Sequence, residues 1–128
     1  MIEITEVLEI HETLIDHFGG SRGLRDRTSL ESALVRPFQQ FEGKDLYPSA
    51  FEKGAAIVES ILVNHPFIDG NKRTGYSLLR LFLDVHEIEI SASAASKYEF
   101  IINIAAGTLK FDGIVDWLKA NTRRKNGG

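Results

Sequence analysis

The sequence predicts an all-α fold, a compact bundle of about six helices. Three observations point there. Apolar residues recur at three- and four-residue spacing in successive windows. Capping residues and glycine or proline stops bracket those windows. The one alternating stretch is too isolated to found a sheet. The 128 residues make a single domain, 1–128, by ordinary size expectations, long enough to bury a core without staples.

The first helix is expected from about Thr5 to Phe18, where Ile4, Val7, Leu8, His11, Leu14, Ile15 and Phe18 share a face. Thr5 is its candidate cap, and Gly19-Gly20 stops it. A turn-rich loop, Ser21 to Arg27, follows. Thr28-Ser29-Leu30-Glu31 matches a capping box ahead of a short helix that ends before Pro37. Phe38 to Ser49 reads as irregular. Its Phe38, Phe41, Leu46 and Tyr47 either pack down on the domain or contact something else. Phe51 to Val63 is a helix with Phe51, Ala55, Val58, Ile61 and Leu62 on one face. Asn71 to about His86 is another, apolar nearly all round at Leu78 to Leu83, as expected of a central buried helix. Glu87 to Ser91 is briefly extended. Ser96 with Glu99 forms a capping box before Tyr98, Ile101, Ile102 and Ala105. Asp112 caps a last helix carrying Ile114, Val115, Trp117 and Leu118. Thr122 to Gly128, basic and then glycine-rich, is expected to fray.

Composition narrows the function. There is no cysteine, which excludes disulfides, cysteine-based zinc sites and a thiol nucleophile. The net charge of −3 and pI of about 5.8 disfavour direct binding to nucleic acid. The first ten residues lack the basic and apolar regions of a signal peptide, and no apolar run approaches a membrane span. A cytoplasmic protein is expected.

The stretch His65-Pro66-Phe67-Ile68-Asp69-Gly70-Asn71-Lys72-Arg73 carries the chemistry. Pro66 limits continuation of the preceding helix. Asp69-Gly70 is a tight-turn pair, and Asn71 is a candidate N-cap. The N–H groups from Gly70 to Thr74 then leave a helix N-terminus without intrahelical partners, an anion cradle. Lys72 and Arg73 add positive charge there. Asp69 beside a phosphate requires a cation, and Mg²⁺ suits one carboxylate plus phosphate oxygens. His65, four residues before Asp69, can take a proton from a hydroxyl. A base, a metal ligand and an oxyanion cradle are the parts for moving a phosphoryl or nucleotidyl group. Each part alone has a plainer explanation: a structural histidine, a common turn, a solvated cation pair. Their coincidence within one short segment is what points to a site.

That stretch resembles the signature of the Fic superfamily, His-x-Phe-x-[Asp/Glu]-Gly-Asn-x-Arg-x-x-Arg, and specifically its Doc (death-on-curing) branch. His65, Phe67, Asp69, Gly70, Asn71 and Arg73 match. Gly23-Leu24-Arg25-Asp26, Leu30 to Leu34, Arg36-Pro37, Tyr47-Pro48 and Ala105-Ala106-Gly107 also look like Doc sequences. Two departures separate the chain from adenylyl-transferring Fic proteins: Lys72 stands where they have Gly, and Tyr76 where they have a second Arg that holds the ATP terminus. Doc proteins share the lysine. The resemblance implies a bundle of Fic type and a toxin of a type II toxin-antitoxin system. It implies a serine/threonine kinase that binds ATP in the reversed sense and passes its γ-phosphate to a threonine of elongation factor Tu, stopping translation. By the same resemblance His65 is the catalytic base and Asp69 the Mg²⁺ ligand, while Gly70, Asn71, Lys72 and Arg73 hold the phosphates. A small cognate antitoxin is the implied partner. Some Doc toxins have Ala at the place of Gly70, a difference expected to matter little. The Phe38–Tyr47 loop is a candidate rim or flap. Arg25 and Asp26 are expected to form a helix-entry ion pair. An adenylyltransferase of Fic type is the alternative chemistry, and a catalytically silent antitoxin-binding module the alternative class. A metal nuclease is the weakest reading, since one carboxylate rarely holds two metals.

Overall fold

The computed structural model describes residues 2–125. Six α-helices dominate it, as expected, with short strand pairs between them. α1 spans Ile4–Phe18 and buries Val7, His11 and Ile15. It begins earlier than expected, behind Glu3, and Thr5 does not cap it, because Glu3 C=O already accepts the first N–H groups. Gly19, at φ 82°, ends it. α2 spans Arg27–Val35 and is capped by Asp26, whose carboxylate accepts the Ser29 N–H at 3.0 Å. The expected Thr28 capping box therefore goes unused, since an anionic acceptor two residues earlier claims the helix start.

A 3-10 turn, Arg36–Phe38, leads into a small hairpin in which β1 (Gln40–Phe41) pairs with β2 (Lys44–Asp45). This segment was expected to be irregular. Glu42 and Gly43 both take positive φ, the geometry that closes a two-residue hairpin. Phe38 packs on Phe82 and Tyr47 on Phe111, whereas Phe41 and Leu46 remain exposed. The loop therefore divides between core and surface.

α3 spans Ala50–Asn64 behind Ser49, whose hydroxyl accepts the Glu52 N–H at 3.1 Å. α4 spans Asn71–Val85. Here the structure redistributes burial. α4 buries one face, Thr74, Gly75, Leu78, Leu79, Phe82 and Leu83, while Arg80, Leu81 and Val85 face out. α3 is the more enclosed, burying Gly54 to Val58 and Ser60 to Leu62 and meeting α2, α4, α5 and α6. The two helices approach closely at Gly75, where a Cβ would lie 2.2 Å from Leu62 Cδ1. That contact sets where α4 begins relative to the end of α3, and so the geometry of the loop between them.

β3 (Ile88–Ile90) pairs antiparallel with β4 (Thr122–Arg124), and Lys125 N–H donates to Glu87 C=O. Thr122 to Lys125 are therefore not a frayed tail; residues 126–128 lie outside the described region. Pairing with a distant segment satisfies a stretch that looked isolated locally, and Arg123 bonds Glu89 at 2.8 Å across it. α5 spans Ala94–Ala105 and is capped by Ser93 rather than Ser96. Its core side chains are Phe100, Ile101 and Ile104, with Phe100 stacked on Trp117, so Tyr98 is left outside. α6 spans Phe111–Ala120; Asp112 sits in its first turn, where it favours the helix dipole without capping.

Candidate active site

The loop joining α3 to α4 is built backbone first. His65 ends α3 in the left-handed region, φ 49° and ψ 61°, with its N–H on Ile61 C=O. Pro66 disfavours the right-handed helical region for the residue before it, which is consistent with this exit. The loop is then zipped to a second segment. Pro66 C=O accepts the N–H groups of Arg25 (2.8 Å) and Asp26 (3.0 Å), and Ile68 N–H donates to Gly23 C=O at 3.1 Å. Arg25 Nε donates to His65 C=O at 2.7 Å, and its Nη2 to Asn64 C=O. Arg25 thus caps the C-terminus of α3 and fixes the backbone that carries His65. The expected ion pair with Asp26 does not form, because Asp26 is occupied as the α2 cap.

Asn71 closes the loop from the other side. Its Oδ1 accepts the Phe67 N–H and its Nδ2 donates to Phe67 C=O, both at 3.0 Å. Asn71 is the first residue of α4, and Gly70 is the N-cap. The side chain expected to cap the helix instead bonds backward, which pins Phe67 in the core at 1% exposure.

His11 holds the centre of the loop. Its ring stacks on Phe67 with centroids 3.9 Å apart and 8° between planes. Its Nε2 donates to Asp69 C=O at 2.7 Å. A carbonyl can only accept, so the proton sits on Nε2. The Asp69 carboxylate receives N–H bonds from Ser21 (3.1 Å) and Gly70 (2.9 Å). These bonds, with smaller contributions from His11 and Arg73, hold its pKa below the usual carboxylate value. The carboxylate is open to solvent and ionised at neutral pH. Gly20 permits this approach, since a Cβ there would lie 2.7 Å from Asp69 Oδ2.

Gly70 takes φ 78°, ψ 17°. A Cβ at Gly70 would lie 3.2 Å from Ile15 Cδ1 and 3.5 Å from His11 Nε2. The expectation that alanine would matter little here is therefore corrected: it meets both a left-handed backbone and a crowded floor. Gly70→Ala is expected to destabilise the fold by about 1–2 kcal/mol, read as a lower midpoint in chemical denaturation. A variant as stable as the parent would contradict this geometry.

From Gly70 onward the helix opens toward solvent. Thr74 N–H bonds Gly70 C=O, and among the described residues the N–H groups of Asn71, Lys72 and Arg73 have no acceptor. They form the cradle expected of an uncapped N-terminus. Lys72 and Arg73 are exposed beside it, and the Arg73 guanidinium lies 4.2 Å from the Phe18 ring centroid. His65 and Asp69 are exposed on the same loop. Among the described residues no group of three or more His, Cys, Asp or Glu could hold a metal. A single ionised carboxylate fits a hard cation that takes its other ligands from phosphate and water, which is how Mg²⁺ is commonly held.

The residues singled out in the sequence thus gather on one loop and one helix start. The side chain of Asn71 holds the loop, so only its N–H is offered to the cradle. His11 and Arg25 were missed. The one available signal for His11 was a polar ring in an otherwise apolar stripe of α1.

A model of the Fic/DOC family matches residues 1–83, which contain the whole loop. The Toxin Doc of Mycolicibacterium smegmatis is 37% identical over 75 residues, 59% of this chain and 58% of that protein. The matched region thus spans little more than half the length of that relative. The Protein kinase doc of Escherichia phage P1 is 24% identical over 114 residues, 89% of each chain.

Proposed function

The chain belongs to the Fic/DOC family, and on that premise we propose that it is a Doc-type toxin acting as a protein serine/threonine kinase. It takes ATP as phosphoryl donor and a hydroxyl of another protein as acceptor, by family likeness a threonine of elongation factor Tu, and so blocks translation in the cytoplasm. A cognate small antitoxin restrains it. The printed names of the two relatives, a toxin and a protein kinase, support the reading.

The observation that carries the choice of chemistry is the pair Lys72 and Tyr76. An adenylyl-transferring site of this family has a second arginine one turn into α4. Here that place holds a phenol, which partial burial pushes to a higher pKa. Tyr76 is therefore neutral at physiological pH and supplies no positive charge to a phosphate. The cations lie instead at the helix start, where Lys72 and Arg73 flank the free N–H groups. The terminal phosphate belongs at that end.

In the proposed step, the His65 imidazole accepts the proton of the target hydroxyl. The freed oxygen forms a bond to the γ-phosphorus as the bond to the β-bridging oxygen breaks. ADP departs with that electron pair. The N–H groups of Asn71, Lys72 and Arg73, with both cations, hold the charge of the transferring group. Gly70 supplies the left-handed turn that starts α4 and leaves room for Ile15 and His11 beneath it. Asp69 would hold Mg²⁺, which when bound neutralises phosphate charge. His11 and Arg25 keep the loop in register.

The reading is tested by incubating the chain with ATP, Mg²⁺ and purified elongation factor Tu, then mapping the factor by mass spectrometry. One phosphothreonine is expected. An unmodified factor would remove the target. Growth arrest that persists in His65→Ala would remove the enzyme and leave a silent antitoxin-binding module.

A further inference from the structure

We propose that the free edge of β3 is a docking site for an extended acidic segment of a partner protein, which adds to the β3–β4 ribbon as a third strand. This does not depend on the reaction proposed above.

β3 meets β4 through alternate residues. Lys125 N–H reaches Glu87 C=O at 2.8 Å, Glu89 pairs with Arg123, and Ser91 N–H reaches Asn121 C=O at 2.7 Å. An antiparallel ladder alternates, so the N–H and C=O groups of Ile88 and Ile90 lie on the opposite edge. Among the described residues no other main-chain group bonds them. Such an edge is a template for another strand. Ile88 and Ile90 also line a cavity of about 450 Å³, whose other wall is Ser77, Arg80, Leu81 and Asp84 on α4.

Charge selects the occupant. Both carboxylates on the lining are already paired, Asp84 with Lys125 and Glu89 with Arg123. Arg80 and Lys97, also on the lining, take part in no salt bridge among the described residues. A second copy of this chain laid along the same edge would bring these cations against their own kind, which disfavours it. Cations beside an edge ward off self-pairing in this way. An incoming strand with carboxylate side chains neutralises them instead. Leu81, 39% exposed, and the half-buried Ile88 and Ile90 offer apolar contact to its alternate side chains.

The probe is a synthetic peptide of alternating valine and glutamate, titrated into the isotope-labelled chain and followed by NMR. In the free chain the Ile88 and Ile90 amides are expected to exchange with solvent faster than those of Glu89 and Ser91. Saturating peptide is expected to slow exchange at Ile88 and Ile90 about tenfold or more and to leave Glu89 and Ser91 as they were. Arg80→Glu combined with Lys97→Glu is expected to weaken the peptide about tenfold. Arg80→Glu alone, at an exposed position, acts in the same direction and serves if the double variant fails to fold. A peptide methylated on every main-chain nitrogen, which cannot donate to β3, is expected not to bind. Equal binding of the methylated peptide, or unchanged exchange at Ile88 and Ile90, would overturn the added strand. Equal binding of a valine–lysine peptide, or full affinity in the folded charge variants, would overturn the acidic partner. No spectral change at millimolar peptide would overturn the proposal outright, as would a chain that dimerises and protects these two amides by itself.

Discussion

Replacing His65 with asparagine is expected to slow phosphoryl transfer by about 100- to 10,000-fold, the range for loss of a positioned general base. Asparagine suits this position because it tolerates the left-handed region that His65 occupies. His65 is exposed and only its backbone is bonded, through Ile61 C=O and Arg25. Its removal therefore takes away the imidazole and leaves the loop. Initial rates with ATP and the thermal midpoint should be measured together. A collapsed rate with an unchanged midpoint and little change in the KM for ATP is expected, because the proposal seats the nucleotide on α4 rather than on His65. A variant keeping more than about a tenth of the rate would mean that another group takes the proton.

Asn71→Ala is expected to damage the protein by a different route. Its amide makes both bonds to Phe67, one as acceptor and one as donor. Phe67 is 1% exposed, so its backbone N–H and C=O would lose their partners in a poorly solvated place. The cost is about 1–3 kcal/mol, visible as a lower denaturation midpoint, and activity falls with it because the N–H cradle loses its backstop. Asn71→Asp separates geometry from size. It keeps an acceptor for Phe67 N–H but sets a carboxylate against Phe67 C=O and adds negative charge where the proposal seats phosphate. It is expected to be at least as inactive as the alanine variant. Full activity in Asn71→Asp would show that the side chain does not hold the loop.

These expectations rest partly on features the sequence displayed and partly on features it could not. The candidate site was legible because its residues are contiguous: turn, helix start, histidine, carboxylate and cations all fall between His65 and Arg73. Glycine and proline stops were legible for the same reason, as at Gly19 and Pro37. Neighbouring caps were harder. Asp26 and Thr28 are both plausible at the start of α2, and only the path of the chain past Pro66 decides for Asp26. The capping residue of α5 moved from Ser96 to Ser93 on the same ambiguity. The β3–β4 pairing was invisible because its partners lie far apart in the chain: the extended stretch Glu87 to Ser91 was legible, but nothing in Thr122 to Arg124 announced its partner. Apolar composition suggested that α4 sits at the centre, but composition does not say which neighbours cover which face. Gly54 and the small Ala55 and Ala56 let other helices close around α3 instead.

The supports of the site were hidden by distance in the chain. His11 meets Asp69 across 58 positions and Arg25 meets His65 across 40. Such contacts leave no periodic trace. They explain why a short loop with exposed candidate side chains is fixed in place: α1 supplies a ring beneath it, the segment before α2 supplies a backbone edge, and α4 supplies an amide behind it. Preorganisation of this kind is what lets backbone N–H groups stabilise a transferring phosphate without reorganising.

The central claim is that the terminal phosphoryl group, not the nucleotidyl group, is transferred at this site. ATP labelled separately at the α- and γ-phosphates, incubated with the chain, Mg²⁺ and elongation factor Tu, tests it directly. Label from the γ position is expected on protein, with none from the α position. Label from the α position on protein would contradict the account and make the chain an adenylyltransferase despite Lys72 and Tyr76.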